Sequence, residues 1–155
     1  MRIVIGADDT GALVDAVVAE AGALGHEVEL IGPPAGTGEE WAEVGEAVGR
    51  AVTGGTAERA VVCCWSGTGV SIAANKVAGA RAALCADAET ARLARRYNHA
   101  NVLALSMRAT TPTLGREILS AFLAGDDGGD DFDHRNVAHV EAIDPGGAGD
   151  PAESA

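Results

Sequence analysis

The sequence predicts an α/β fold, a three-layer αβα sandwich around a five-stranded, parallel, Rossmann-like sheet. The first reason is that short apolar runs alternate with longer stretches of helical period along the chain, a pattern typical of doubly wound parallel sheets. The second reason is length, because 155 residues make up one domain of ordinary size with a single core.

The strands are predicted from apolar runs bounded by turn residues, and the helices from the patterns that follow these runs. The strands fall at residues 2–6, 27–31, 59–64, 80–85 and 101–105. The helices fall at residues 11–24, 39–53, 69–77, 87–97 and 112–124. The second helix follows a loop of Pro and Gly at 33–38, and Thr111 before Pro112 is typical of a helix N-cap. Five βα units result.

The chain is predicted to form one domain over residues 1–143, which ends in a separate helix. Gly and Asp dominate residues 125–131, so we predict an acidic linker there. An apolar residue recurs every three positions after Asp133, which predicts a last helix at about 133–143 capped by that aspartate. Residues 144–155 are rich in Gly, Pro, Asp and Ser and are predicted to be a disordered tail.

Charge and composition exclude several classes of protein. The formal net charge is -12 and Lys76 is the only lysine, so nucleic-acid binding, which needs clustered basic residues, is not expected. No apolar stretch approaches the roughly 20 residues that span a bilayer, and we expect a cytoplasmic protein without membrane association. Three cysteines without a CxxC pair indicate reduced thiols and no zinc site.

Candidate site residues are selected by a rule for open parallel sheets, whose ligands bind beyond the carboxyl ends of the strands. The loops predicted at that edge are 8–11, 64–69 and 106–108, together with Asp87. We expect the chemistry of the protein to lie among these residues.

Cys64 is the first candidate, because it ends the third strand and adjoins a Gly-rich loop. Side chains alternate along a strand, so Cys63 and Cys64 are predicted to face opposite layers. A thiol near a helix amino terminus is favoured as the thiolate and can act as a base near neutral pH. The alternative is that a free cysteine is a small buried hydrophobic residue, an interpretation that we keep for Cys63 and Cys85.

The loop formed by Ser66, Gly67, Thr68 and Gly69 places two glycines at the start of a helix. Exposed backbone N–H groups at such a position suit an oxyanion or a phosphate. The third glycine of a dinucleotide-binding fingerprint is replaced by Ile72, and the Gly-Lys-Ser/Thr of a P-loop does not follow. A tight βα turn without a ligand is the alternative for so short a motif.

Two longer segments carry a resemblance to a known family. The first runs from Cys64 to Leu84 and begins Cys-Trp-Ser-Gly-Thr-Gly-Val-Ser-Ile-Ala-Ala-Asn-Lys. The second runs from Ala91 to Arg108 and includes Asn-His-Ala-Asn-Val-Leu-Ala-Leu, and the opening Ile-Val-Ile-Gly-Ala-Asp fits as well. These segments, which together cover most of residues 1–143, resemble the ribose-5-phosphate isomerase B and galactose-6-phosphate isomerase family.

The resemblance implies a homodimer with its active sites at the subunit interface. It implies a reaction that interconverts aldose and ketose phosphates through an enediol, without metal or nucleotide. Cys64 would be the base that moves the C2 proton, and Ser66 would be an assisting hydroxyl. The backbone N–H groups of Gly67, Thr68 and Gly69 would bind the oxyanion.

The resemblance also assigns residues to the substrate, which would be a small-molecule sugar phosphate. By position, Asp8 is expected to hold sugar hydroxyls and Asn98 to contact the reacting end. Arg108 and Arg135 are expected to bind the phosphate. His139 would share a helix face with Arg135, where the family commonly has a second phosphate-binding arginine.

The chain departs from the family's pattern at several positions. Asp9 stands where the family usually has a histidine after the first strand, Tyr97 where it usually has a ring-opening histidine, and Trp65 where it has a small residue. We keep Asp9 among the substrate-binding residues. Tyr97 is kept among the catalytic residues, because its helix end is expected to face the same rim as Cys64. His99 is predicted to be a polar surface histidine.

The sequence therefore predicts an aldose–ketose isomerase of a sugar phosphate. The prediction includes a divergent substrate such as a tetrose 4-phosphate. The reason is that histidine is missing from both positions that the family is expected to use for opening the sugar ring. Two alternatives stay open: a non-catalytic relative that binds a sugar phosphate, and a related epimerase.

Overall fold

The computed structural model describes residues 1–144 and confirms the predicted α/β fold. Its strands are β1 (Arg2–Ala7), β2 (Glu27–Ile31), β3 (Arg59–Cys64), β4 (Ala82–Leu84) and β5 (Val102–Ser106). Its helices are α1 (Ala12–Ala23), α2 (Trp41–Thr53), α3 (Thr68–Ala74), α4 (Ala88–Asn98), α5 (Pro112–Ala124) and α6 (Asp131–Ala142), and a short 3-10 helix spans Pro33–Ala35. None of these described helices is long and apolar enough to cross a membrane. The predicted tail, except for Asp144, lies outside the described residues.

All five strands are parallel and lie in the order β2-β1-β3-β5-β4. Strand β2 pairs with one edge of β1 and β3 pairs with its other edge, so the direction of winding reverses between β1 and β3. In open α/β sheets such a switch point opens a crevice beyond the carboxyl ends of the two strands. The loops that follow β1 and β3 therefore meet at this crevice.

Alternation along the strands produces two separate cores. On β3, Val61 and Cys63 face the layer of α1, α4 and α5, whereas Val62 and Cys64 face the layer of α2 and α3. The prediction that the two adjacent cysteines face opposite layers is confirmed. Both cores are filled by aliphatic side chains, and Phe122 is the only aromatic residue among the buried hydrophobic residues of the described chain.

Local capping sets the helix boundaries. Thr111 caps α5, as predicted, because its hydroxyl accepts the N–H of Leu114 at 3.2 Å. The last helix begins at Asp131, two residues earlier than predicted. The reason is that its N-cap is Asp130, whose carboxylate accepts two first-turn N–H groups. Asp133 instead completes a capping box by accepting the N–H of Asp130 at 3.0 Å.

Helix α6 packs against α4 and lies near the amino edge of the sheet, where its residues share a cavity with residues 80–83 at the start of β4. Its carboxyl end is tied to the segment before β4 by two contacts. The carboxylate of Asp144 accepts the N–H of Gly79 at 2.7 Å, and Arg81 pairs with Glu141 at 3.1 Å. These contacts fix the direction of α6.

Three side chains hold the linker between α5 and α6. Arg95 of α4 is buried, pairs with Asp127 and donates to a backbone carbonyl. His99 and His134 each bond through Nε2 to the carbonyl oxygen of Gly128, at 3.1 and 3.2 Å. The prediction of a surface histidine at 99 is wrong, because His99 is partly buried and anchors the linker.

Candidate active site

The carboxyl edge of the sheet carries a cavity of about 450 Å³ at the switch point. Its lining comes from the loops after β1, β3 and β5 and includes Asp8, Asp9, Thr10, Trp65, Met107 and Thr110. Three of the loops predicted from the sequence thus surround one cavity. Asp87, the other residue predicted at this edge, is the N-cap of α4, where its carboxylate accepts the N–H of Thr90 at 2.7 Å.

Cys64 is the last residue of β3, and only 5% of its surface is exposed. The N–H of Gly67 donates to its Sγ at 3.2 Å. Such a donor stabilises negative charge on sulfur, which is the charge of the reactive thiolate. The backbone carbonyl of Cys64 accepts the N–H of Met107 at 2.9 Å, which ties the end of β3 to the loop after β5. Cys64 is thus held in place with its sulfur against the Gly-rich loop.

The other two cysteines have a different environment. Burial, assisted by Cys64 and Asp8, raises the pKa of Cys63 to about 12. Burial and the charge of Asp87 raise the pKa of Cys85 to about 11. Both side chains pack in the core beneath α1, α4 and α5. The prediction that these two residues are small buried hydrophobic residues is confirmed.

Both glycines of the loop are required by its geometry. Gly67 has a φ of 76°, and a Cβ there would lie 2.6 Å from Leu84 Cδ1 and 2.9 Å from the carbonyl carbon of Leu105. A Cβ on Gly69 would lie 2.9 Å from the indole of Trp41. The chain therefore enters α3 by a path that larger residues would block. The first-turn N–H groups of a helix have no partner within the helix, so they can bind an oxyanion.

Two hydroxyl groups of this loop are hydrogen-bonded to each other. Ser66 Oγ and Thr68 Oγ1 are 2.7 Å apart, and both side chains are exposed. A pair of hydroxyl groups can pass a proton, because each member both donates and accepts.

Trp65 projects from the same loop, with 69% of its surface exposed. Its carbonyl oxygen accepts the Oγ–H of Ser106 at 3.1 Å and the N–H of Arg108 at 3.0 Å. Its backbone is therefore fixed between β3 and β5, and Trp65 lines the cavity together with residues of the loops after β1 and β5.

The two aspartates after β1 differ in environment. Asp8 Oδ1 is buried and has no hydrogen-bond partner within the described part of the chain. Burial raises the pKa of Asp8, and the charge of Asp9 raises it further. Asp9 is exposed, and its Oδ1 accepts the N–H of Thr10 at 2.8 Å. An unsatisfied oxygen at a cavity is placed to accept a hydrogen bond from a ligand hydroxyl.

Tyr97 and Asn98 lie at the opposite edge of the sheet. They end α4, and a helix that connects parallel strands starts at the carboxyl edge and ends at the amino edge. There they line a cavity of about 690 Å³ together with Val140 of α6 and with Ile143, which follows this helix. The prediction that this helix end faces the same rim as Cys64 is wrong, because the direction of α4 places the two on opposite edges.

The predicted phosphate-binding residues are divided in the same way. Arg108 lies in the loop after β5, at the carboxyl edge. Arg135 and His139 are exposed on α6, at the amino edge. A five-residue strand is roughly 16 Å long, so these groups do not meet within one chain.

One copy of the chain therefore carries two separate halves of the predicted site. We call the first the carboxyl-edge half, which contains Asp8, Asp9, Cys64, Ser66, Gly67, Thr68, Gly69 and Arg108. We call the second the amino-edge half, which contains Tyr97, Asn98, Arg135 and His139. The members of each half lie at the same edge of the sheet, and the two halves lie at opposite edges.

Two residues that shape these halves are not predicted from the sequence. Trp41, the first residue of α2, covers Gly69 and remains about half exposed. Its position is signalled by the capping box of Glu40 and Glu43, which starts α2 there. Arg95 holds the linker before α6, and no local signal separates it from the exposed arginines of α4.

The fold and the site define a small doubly wound enzyme domain whose candidate groups are a thiol, hydroxyls, carboxylates and backbone N–H donors. Within residues 1–144 no three His, Cys, Asp or Glu side chains group as metal ligands. The chain matches the family described as Ribose/Galactose Isomerase over residues 3–143. It belongs to that family.

Individual relatives agree with this assignment. Ribose-5-phosphate isomerase B of Escherichia coli (strain K12) is 34% identical over 144 residues, which are 92% of this chain and 93% of that protein. D-erythrulose-4-phosphate isomerase of Pectobacterium atrosepticum is 39% identical over 90 residues, which are 58% of this chain and 59% of that protein. The structure of ribose-5-phosphate isomerase B of Clostridium thermocellum is similar with a TM-score of 0.86 and 34% identity, over 92% of this chain and 97% of that chain.

Coverage differs among the relatives. The chain spans 39% of the length of the Arabidopsis thaliana DNA damage-repair/toleration protein DRT102, to which it is 39% identical over 126 residues. That protein is therefore much longer than the region that it shares with this chain.

Proposed function

We propose that this chain is an aldose–ketose isomerase of a sugar phosphate, and that its active site forms between two copies of the chain. The reaction class rests on membership in the family, whose named relatives include isomerases of sugar phosphates. The assembly rests on one observation, which is that the two halves of the site lie on opposite edges of the sheet. In the proposed homodimer, the carboxyl-edge half of one copy faces the amino-edge half of its partner.

The carboxyl-edge half contains the groups that the proton transfers need. Conversion of an aldose to a ketose moves one proton from C2 to C1 and one from O2 to O1. The thiolate of Cys64 takes the proton from C2, which leaves an enediolate, and then delivers it to C1. The hydrogen-bonded pair of Ser66 and Thr68 can carry the hydroxyl proton between the two oxygens. No electrons leave the substrate, so the balance requires no redox cofactor.

The enediolate carries negative charge that the Gly-rich loop can stabilise. The N–H of Gly67 is bonded to Cys64 Sγ, and Thr68 and Gly69 contribute first-turn N–H groups of α3. Fixed donors of this kind stabilise a developing oxyanion without reorganisation during the reaction. Gly67 and Gly69 hold the donors in place, because added side chains would collide with their surroundings.

The remaining groups bind the ends of the substrate. Asp8 and Asp9 line the cavity at the carboxyl edge and are suited to sugar hydroxyls. Arg108 of one copy and Arg135 of the other would converge on the phosphate, with His139 one helical turn from Arg135. Asn98 and Tyr97 of the second copy would close the site over the reacting carbons.

Exposed apolar side chains support an interface at both halves. Trp65, Ile72 and Leu84 are exposed near the carboxyl-edge half, and Val140 of α6 and Ile143 just after this helix are exposed near the amino-edge half. Apolar groups concentrated in this way on a protein surface mark interaction sites. A two-fold axis makes contacts reciprocal, so one interface would complete two active sites.

The sugar and the compartment belong to this proposal as well. The relatives are named for different sugar phosphates, which include ribose 5-phosphate and D-erythrulose 4-phosphate, so the family fixes the reaction more closely than the sugar. We place the enzyme in the cytoplasm, because its three cysteines are free and a reducing compartment keeps thiols in that state.

Mixing two impaired variants tests whether the site is shared. Cys64→Ser removes the proposed base of the carboxyl-edge half, and Arg135→Ala weakens phosphate binding at the amino-edge half, so the mixture is assayed at a substrate concentration well below the KM of Arg135→Ala. In a mixed dimer one site carries both substitutions and the other carries neither. Random exchange of equal amounts should therefore restore about a quarter of the wild-type sites. Absence of recovery after subunit exchange, verified by mass spectrometry, would show that each site lies within one chain.

Exchange of the substrate C2 proton with deuterated water separates the alternative functions. An isomerase exchanges this proton and forms a ketose. An epimerase exchanges it and inverts C2, whereas a relative that only binds leaves it in place. The assay is run with wild type and Cys64→Ser on a panel of tetrose, pentose and hexose phosphates.

A further inference from the structure

His99 has an uncommon backbone conformation. It caps the carboxyl end of α4 with a φ of 49° and a ψ of 37°, and it is the only non-glycine residue with a positive φ in the part of the chain that the structure describes. The left-handed region is unfavourable for a residue with a Cβ atom, so such a conformation persists where several contacts hold it. Residues held in this way concentrate at functional sites. The two residues before His99 are Tyr97 and Asn98 of the amino-edge half.

The side chain of His99 is tied to the linker and to α6. Its Nε2–H donates to the carbonyl oxygen of Gly128 at 3.1 Å, and the Nε2–H of His134 on α6 donates to the same oxygen at 3.2 Å. The two imidazole rings meet edge to face, with centroids 5.5 Å apart and an angle of 63° between their planes. A carbonyl oxygen has two lone pairs, so these two donors use its full capacity. The linker is thus clamped between the end of α4 and the start of α6.

The backbone carbonyl of His99 is connected to the other end of α6. It accepts the Nε–H of Arg81 at 3.0 Å. The same guanidinium pairs with Glu141, in the last turn of α6, at 3.1 Å. His99 therefore holds the start of α6 through its ring and the end of α6 through its carbonyl oxygen.

These contacts join the two elements that make up the amino-edge half. Tyr97 and Asn98 end α4, whereas Arg135 follows His134 on α6. In the proposed dimer the first two residues close the site over the reacting carbons and Arg135 binds the phosphate. The spacing between them must match the length of the substrate, because a misplacement of about 1 Å can cost about 100-fold in rate.

The residue type at position 99 suits this task rather than helix termination alone. Glycine or asparagine ends a helix in the left-handed conformation at lower cost than histidine. A residue that only terminated α4 would need no ring. A residue that also holds the linker needs a donor that reaches Gly128, which the imidazole supplies.

We propose that His99 is a positioning residue for the isomerase reaction, which holds Tyr97 and Asn98 in a fixed relation to Arg135 through the linker and α6. In this role His99 does not contact the substrate and acts only through these three residues. The inference rests on the proposed function and on the composite site. It adds the residue that couples the two parts of the amino-edge half.

The main test is His99→Asn, because asparagine tolerates the left-handed conformation but is too short to reach Gly128. Displacement of both parts of the amino-edge half should raise KM and lower kcat, with a loss of about 10–100-fold in kcat/KM. Steady-state kinetics is measured well below the Tm of the variant, and circular dichroism checks the fold. A purely structural role would lower Tm and leave both kinetic constants at their wild-type values, which would overturn the inference.

Two further variants serve as references for His99→Asn. His99→Gln restores a side-chain N–H donor of greater reach and should retain a higher kcat/KM than His99→Asn. His26→Asn makes the same chemical change between α1 and β2, outside both halves of the site, and should leave kcat and KM unchanged. A loss in His26→Asn as large as that in His99→Asn would overturn the inference.

The double variant His99→Asn/Arg135→Ala tests the coupling to Arg135. If His99 acts on phosphate binding through this arginine, its substitution should raise KM in the wild-type background and not raise it further in the Arg135→Ala background. The loss in kcat should remain in both backgrounds, because it arises at Tyr97 and Asn98. An equal rise of KM in the two backgrounds would overturn the inference.

The substrate is the tetrose, pentose or hexose phosphate that the wild type converts fastest. If the wild type converts none of them, the proposed function is overturned and this inference with it. If the wild type is active and Arg135→Ala raises KM, but His99→Asn keeps wild-type constants, this inference alone is overturned.

Discussion

The two halves of the site are built by different means. The centre of the carboxyl-edge half is a short stretch of backbone, in which the left-handed Gly67 and its hydrogen bond to Cys64 Sγ define the geometry. The amino-edge half includes a face of α6, which is held by contacts between residues distant in sequence, such as Gly79 and Asp144, 65 residues apart. The Gly-rich loop is therefore encoded locally, whereas the α6 part of the amino-edge half exists only when the linker and α6 are docked.

This difference indicates which changes should affect chemistry and which should affect assembly. Substitutions in the carboxyl-edge half should act on kcat, or on KM at Arg108, with little change in the position of other elements. Substitutions around the linker should displace several amino-edge residues together, because Arg135 and His139 share one helix.

The largest effect is expected for the proposed base. Cys64→Ser should lower kcat by about 10²–10⁴-fold, because a hydroxyl is a far poorer proton acceptor than a thiolate. Steady-state kinetics on the preferred sugar phosphate measures this loss, and circular dichroism checks the fold. Cys63→Ala is the matched control, since its thiol lies in the opposite core and should not affect kcat. Activity of Cys64→Ser within about tenfold of wild type would show that the base is misassigned.

Substitution of Arg108 and of Arg135 tests whether the two halves bind the same phosphate group. Arg108→Ala and Arg135→Ala should each raise KM by about 10–100-fold, the range expected for loss of a charge-assisted hydrogen bond. The exposed Arg116 of α5 belongs to neither half, so Arg116→Ala should leave KM unchanged. If Arg108→Ala raises KM and Arg135→Ala does not, α6 does not reach the phosphate and the composite site is wrong.

The linker between α5 and α6 can be perturbed by a substitution at a residue that belongs to neither half of the site. Arg95→Met keeps the length of the buried side chain but leaves Asp127 unpaired, and should lower the free energy of unfolding by about 2 kcal/mol. It should also speed amide hydrogen exchange in α6. Arg92→Met is the control, because its pair with Glu89 is exposed and contributes at most about 1 kcal/mol. Unchanged exchange in α6 would show that Arg95 does not position this helix.

The sequence was sufficient to predict the fold and the carboxyl-edge half as a group. Alternation along β3 assigns Cys63 and Cys64 to opposite layers, and the rule for parallel sheets brings the loops after β1, β3 and β5 together. These predictions need only the alternation of side chains along a strand and the parallel direction of the strands. Both can be inferred from a single sequence.

The amino-edge half was harder to predict, because it depends on tertiary contacts. Tyr97 was expected beside Cys64 although the direction of α4 alone places it at the other edge. The burial of Arg95 and the hydrogen bond between His99 and Gly128 depend on how the linker folds back against α4. The local amino-acid composition does not predict the path of the linker. Spacing predicted that Arg135 and His139 share a helix, but not the edge on which the helix lies.

The smallest expected effect concerns the unsatisfied carboxylate of the carboxyl-edge half. Burial raises the pKa of Asp8 in the folded protein above its unfolded value of 3.8, with the charge of Asp9 as a further cause. Between these two values the folded state binds more protons than the unfolded state, so the free energy of unfolding falls as pH rises through this window. Asp8→Asn removes this destabilising contribution and should therefore raise Tm at neutral pH. The same variant should lose activity, because the cavity loses an acceptor for a sugar hydroxyl.

Scanning calorimetry from acid to neutral pH measures the difference in Tm between Asp8→Asn and wild type. The exposed Asp9→Asn is the control, which should keep most of the pH dependence. A Tm of Asp8→Asn that equals or falls below wild type at neutral pH would show that the carboxylate of Asp8 is not destabilising.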